Sequence, residues 1–151
     1  MNIISKASEF AIEKHGTQKR KDGITPYHQH LKNVVDKLID YDITDTTTLV
    51  SAWLHDVVED TDTTFEEIRD LFGDKVAGYV DILTRNTTDE LYINRLKDSP
   101  FNVKMIKFCD IMSNLEDLPT SGLNDSEKLD YHKKKELVIM AILPDILDNL
   151  Q

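Results

Sequence analysis

Trp53-Leu54-His55-Asp56-Val57-Val58-Glu59-Asp60 is the stretch on which the reading of this chain turns. With Leu49, Val50 and Ala52 just upstream, its apolar residues are too many and too close for a single stripe. A helix of that kind is buried on most sides. Yet it carries two ionisable pairs, His55-Asp56 and Glu59-Asp60. On one continuous helix ending near Asp60-Thr61, His55 lies under Glu59 and Asp56 under Asp60, because residues i and i+4 stack. Three carboxylates on a mostly buried helix repel one another and lose hydration, which is unfavourable unless a cation compensates. A divalent metal ion would do so. A lone His-Asp pair is ordinarily the solvated edge of an amphipathic helix, so the reading depends on further ligands elsewhere.

Upstream, Asp45-Thr46-Thr47-Thr48 supplies N-cap candidates for this central helix. Before it, Leu31, Val34, Val35 and Leu38 recur at helical spacing, with His28 and His30 at the opening of their helix. A histidine there more often caps or meets solvent than binds a metal. The loop Thr17–Tyr27, marked by Gly23 and Pro26, holds the cluster Lys19-Arg20-Lys21. Such runs are mostly solvated; the functional alternative is a phosphate clamp, since Arg offers a fork of donors. Ile3, Ile4, Ala7, Phe10 and Ala11 predict a first helix ending at His15-Gly16.

Downstream, Thr64-Phe65-Glu66-Glu67 reads as a capping box for a short helix through Ile68, Leu71 and Phe72 to Gly73. Further helices are expected over Val76–Leu83 and after Thr87-Thr88-Asp89-Glu90. Ser99-Pro100 reads as an N-cap followed by Pro at the first helical position. The helix it opens carries Lys107, Asp110, Asn114 and Asp117 as one polar stripe, ordinarily a water-facing one. Asn124-Asp125-Ser126 caps a long last helix with core run Leu137–Leu143, which Pro144 should kink or end. No strand-like alternation appears. The expectation is an all-α fold, one domain over residues 1–151, with seven or eight helices.

Bulk properties narrow the function. A chain of 151 residues, 40% hydrophobic, can bury a core without staples. Its one cysteine, Cys109, cannot form an internal disulfide, and there is neither a signal-peptide apolar region nor a spanning run. A cytoplasmic protein without membrane association is expected. A net charge of −10 argues against a nucleic-acid polymer as partner. A small anion held by a metal and a few local cations remains open, and oligomeric state is not legible.

His30, His55, Asp56 and Asp110 come from three expected helices, and two imidazoles with two carboxylates suit Mn²⁺, Fe²⁺ or Zn²⁺. At this point the chain resembles a known family. Arg20-Lys21-Asp22-Gly23 with Pro26-Tyr27 and His30 is similar to an R-x-x-G-x-P-Y-x-x-H segment. His55-Asp56-Val57-Val58-Glu59-Asp60-Thr61, continuing to Phe72-Gly73, is similar to H-D-x-x-E-D-T…F-G. Lys107-Phe108-Cys109-Asp110 with Asn114-Leu115 is similar to K-L-A-D-x-x-x-N-L/M. These are segments of the HD-domain metal phosphohydrolases, and more closely of the RelA/SpoT-type alarmone hydrolase domain and its stand-alone small relatives. Thr84-Arg85, Tyr92 and Arg95 add a match to the stand-alone members.

The resemblance implies that His30, His55, Asp56 and Asp110 hold one ion, Mn²⁺ by analogy, while Glu59 and Asp60 orient the attacking water or take its proton. It implies that Arg20 and Lys21 neutralise phosphate and pack on the base, and that Asn114 bonds the sugar. Tyr92 and Arg95 are further substrate contacts. The implied reaction removes the 3′-diphosphate of ppGpp, giving GDP and pyrophosphate. The alternatives are an HD phosphohydrolase of another nucleotide and a non-catalytic nucleotide sensor. The chain also departs from the pattern. Ile24-Thr25 replaces a single loop residue, and Leu31 stands where Pro commonly follows the ligand His. Ile111 and Glu116 stand where basic residues are common, leaving Lys104, Lys107 or Lys133-Lys134-Lys135 to compensate.

Overall fold

The computed structural model describes residues 2–150, and helices account for most of them. In order they are α1 (Ile3–His15), α2 (His28–Asp40), α3 (Thr46–Leu54), α4 (Val57–Asp60), α5 (Phe65–Phe72), α6 (Asp74–Leu83), α7 (Asp89–Lys97), α8 (Phe101–Asp117) and α9 (Asp125–Asn149). A 3₁₀ turn, Leu118–Thr120, follows α8, and the only β-pairing among the described residues is an isolated bridge between Lys19 and Pro26. The expected starts are made by side chains. Asp45 accepts from the Thr48 N–H, Thr88 from Leu91, and Thr64 and Asn124 each form a reciprocal capping box with a Glu.

α3 is the hub: every residue from Thr48 to Leu54 is buried, and α1, α2, α6 and α8 all pack on it. Ala7 and Ala11 on α1 have no exposed surface, so small side chains let that helix approach α3 closely. Leu31, Leu38 and Leu54 are likewise fully buried, each contributing about 1.5–3 kcal/mol by leaving water.

The central helix is not continuous to Asp60; it breaks after Leu54. In an unbroken helix the Ala52 carbonyl would accept from the Asp56 N–H. Here it accepts from His55 Nδ1 at 2.7 Å, and from the His55 N–H only at 3.5 Å. The imidazole has replaced a rung of the helix. Consecutive residues on a helix diverge around its axis and do not face each other. The turn removes that restriction, so His55 and Asp56 point to one place, and Glu59 no longer sits above His55 on a shared helix.

Three smaller expectations are corrected. Pro100, not Ser99, is the N-cap of α8, because the Ser99 hydroxyl donates back to the Leu96 carbonyl at 2.6 Å. The helix expected over Val76–Leu83 begins at Asp74. Pro144 does not end α9, which runs on to Asn149. Nor is Leu137–Leu143 a continuous core run: Val138, Ile142 and Ile146 are buried, while Leu137 and Met140 are 59% and 66% exposed. α9 packs against α7 and α8 on one side only.

Candidate metal centre

α2 and α8 run side by side in the same direction, matching His30 to Asp110 and Ser113, Asn33 to Ser113 and Glu116, and Lys37 to Glu116. The His55-Asp56 turn closes over the start of this pair. His30 Nε2 lies 2.9 Å from Asp110 Oδ1, and His55 Nε2 lies 3.3 Å from the same oxygen. Asp56 Oδ2 is 3.1 Å from His55 Nε2 and 3.8 Å from His30 Nε2. One ligand atom from each of the four residues falls within 4.8 Å of the other three.

The donor set fits a divalent ion. Both histidines turn Nε2 inward and hold Nδ1 on another partner, Ser113 Oγ at 2.9 Å for His30 and the Ala52 carbonyl for His55. Such orientation by outer partners is usual for metal-bound imidazoles. Burial disfavours a charged His55, yet Asp56 and Asp110 outweigh it and hold its pKa well above the ordinary value. Burial likewise opposes ionisation of Asp56 and Asp110, but His55 and Lys107 respectively pull both below the usual carboxylate range. Lys107, itself buried, reaches Asp110 Oδ2 at 2.9 Å. Within the cluster, His55 and Lys107 are the cations set against the two carboxylates.

Above this floor opens a cleft of about 340 Å³, sufficient for a small nucleotide. Glu59 and Asp60 line it: Glu59 Oε1 accepts from the Arg85 N–H at 2.7 Å, and Asp60 Oδ2 from Gln18 Nε2 at 3.4 Å. Partial burial, with Asp56 adding repulsion, raises both carboxyl pKa values, though the Arg85 N–H opposes this at Glu59 and Gln18 opposes it at Asp60. Tyr27 donates its hydroxyl to Asp56 Oδ2, and its own pKa rises through burial and that neighbour.

Arg20 and Lys21 also line the cleft. Arg20 is braced by Asn114 Oδ1 at 2.7 Å and Asp117 Oδ2 at 3.0 Å, while Asn114 Nδ2 donates to Asp110 Oδ1 at 3.2 Å. The loop carrying them absorbs its extra residue through Gly23, at φ 74°, and Asp22, whose carboxylate accepts from both Ile24 and Thr25. The Thr25 hydroxyl, first among those bonds, lowers the Asp22 pKa to about 2. A narrower hollow branches off between Lys21, Asn114, Leu118 and Tyr131.

Of the further contacts expected, Tyr92 forms part of the cleft wall, but its ring is buried and its hydroxyl is taken by the Leu83 carbonyl at 3.1 Å. Arg95 is not brought to the cleft. It braces the wall from behind, donating to the Thr84 carbonyl at 2.6 Å and to Asn86 Oδ1 at 3.2 Å. Ile111 is fully buried in the core, and Glu116 pairs with Lys37 and Asn33, so neither departure lines the cleft. Of the candidate compensating lysines, Lys107 and Lys135 line it, while Lys104 pairs with Asp145 on another face. Sequence reasoning missed Gln18, Tyr131 and Ser113. Only Ser113 carried a signal, standing one turn beyond Asp110.

Residues 7–102 match the family model described as HD domain. Over 82 residues the chain is 51% identical to a guanosine-3′,5′-bis(diphosphate) 3′-pyrophosphohydrolase of Aquifex aeolicus, covering 54% of this chain and 12% of that protein. It is 42% identical over 118 residues to the Drosophila melanogaster protein of that name, MESH1, covering 73% of this chain and 66% of the relative. The match thus spans a small part of the bacterial protein and just under two thirds of the fly one. A solved structure described as a metazoan ortholog of SpoT that hydrolyzes ppGpp superposes with a TM-score of 0.86 at 32% identity, over 99% of this chain and 94% of that one.

Proposed function

Because this chain belongs to the HD-domain family of metal-dependent phosphohydrolases related to RelA/SpoT and MESH1, we propose that it removes the 3′-diphosphate of ppGpp-like alarmones. Water adds to the phosphorus next to the sugar, the bond from that phosphorus to the 3′-oxygen breaks, the proton given up by the water is returned to the 3′-oxygen, and GDP and pyrophosphate leave. The observation that carries this reading is the convergence of His30, His55, Asp56 and Asp110 at the floor of a cleft whose walls hold cations.

These four residues would hold one divalent ion, which we assign as Mn²⁺ by analogy with the family. Bound there, such an ion would supply Lewis acidity, polarising a phosphoryl oxygen and lowering the pKa of the attacking water. Glu59, open to the cleft and with a raised pKa, takes that water's proton, and Asp60 orients it. Arg20 and Lys21 face the phosphates and base, and Asn114 faces the sugar. Among the described residues no helix is long and apolar enough to cross a membrane. The one cysteine, Cys109, is a buried free thiol, as the reducing cytoplasm we assign would leave it.

The direct test supplies Mn²⁺ and ppGpp to the purified protein and identifies the products. GDP with pyrophosphate is expected. Orthophosphate released from other nucleotides, with ppGpp untouched, would reassign the substrate.

A further inference from the structure

The two histidines of the centre are supported in different ways. His55 Nδ1 meets the Ala52 carbonyl, an acceptor only, so the neutral ring carries its proton on Nδ1 and offers the Nε2 lone pair to an ion. His30 Nδ1 meets Ser113 Oγ, and a hydroxyl can either donate or accept. With the hydroxyl donating, His30 Nε2 carries the proton and points it at Asp110 Oδ1. With the hydroxyl accepting, Nε2 is free to bind an ion. Ser113 has no exposed surface, and its oxygen takes a second hydrogen bond from Asn33 Nδ2 at 2.9 Å. Asn33 is itself held by Glu116 Oε2 at 3.2 Å, and Glu116 by Lys37.

We propose that Ser113, fixed by Asn33, is the positioning residue that holds the His30 imidazole in its metal-binding orientation and so sets the affinity of the centre. The proposal rests on the four-residue centre described above. It assigns a purpose to Glu116, which lies off the cleft and steadies the amide that steadies Ser113. Neither Ser113 nor Asn33 lines the cleft above the metal floor, so both act through His30.

The test is calorimetric titration of Mn²⁺ into the full chain, with melting of the ion-free protein as the check on folding. Ser113→Ala should weaken Mn²⁺ binding about 10–100-fold, the usual range for losing a partner of a metal-bound imidazole. Ser113→Thr, which keeps the hydroxyl, should restore it. Should Ser113→Ala fail to fold, Asn33→Ala, at a half-buried position, should show a smaller loss of affinity with the hydroxyl still present. Wild-type affinity in a folded Ser113→Ala protein, or in Asn33→Ala where that variant must stand in, overturns the proposal and leaves the centre intact. A wild-type protein that takes up no Mn²⁺ overturns the centre itself.

Discussion

The floor of the cleft and its walls use the same residue types under opposite conditions. On the floor, His30, His55 and Asp110 are at most 5% exposed, and each lies within hydrogen-bond distance of another charged or ionisable group. On the walls, Glu59 and Asp60 are exposed, and Lys21 and Lys135 sit over the Tyr131 ring at 4.7 and 5.1 Å. Removing one partner of a buried ionic cluster leaves the others uncompensated, at a cost of about 3–5 kcal/mol. Water screens a wall charge whose partner is lost. The floor should therefore behave as a unit and the walls residue by residue.

The largest effect should come from the floor. Asp110→Ala should abolish Mn²⁺ uptake in calorimetry and lower turnover by about a thousandfold or more, since the ion supplies several kcal/mol of transition-state stabilisation. Ion uptake surviving in that variant would show that the floor is not one unit. Next comes Glu59→Gln on the wall. It should slow turnover by about 10²–10⁴-fold, the usual contribution of a general base, while Mn²⁺ still binds. Unchanged turnover would remove Glu59 from the reaction and blur the contrast between chemistry and charge on the wall.

The smallest effect should come from Lys135, whose pKa falls to about 8 through burial and then the Lys107 charge. It is cationic below that value and neutral above it. KM for an anionic substrate should therefore rise by about fivefold as pH passes through 8, matching the ~1 kcal/mol of a screened pair. In Lys135→Met the low-pH KM should already be raised and that inflection absent. An inflection persisting in the variant would place the titrating charge elsewhere.

Much of this arrangement was legible in the linear chain. Caps at Asp45, Thr64, Thr88 and Asn124 set helix starts through hydrogen bonds spanning three residues, and such bonds are readable without tertiary context. The four residues of the floor were singled out because each stands in a spaced motif. The break after Leu54 was not legible, because periodicity alone continues through it. It depends on a ring nitrogen taking a backbone carbonyl. Arg95 is expected as a substrate contact only through the resemblance to the stand-alone members, and in the fold it reaches back to the Thr84 carbonyl instead.

By itself, then, the sequence determined the all-α class, the capped helix starts, the apolar hub over Leu49–Leu54 and the residue types offered to an ion. Only the tertiary structure decided which faces meet. Lys133, Lys134 and Lys135 are consecutive on α9 and point in different directions, and the way α9 docks on α7 and α8 turns Lys135 alone among them into the cleft. Ile111 and Glu116 are likewise turned away by the phase of α8 against α2. Helical periodicity is set by bonds a few residues apart, but the rotation of one helix against another is set by packing between distant parts of the chain.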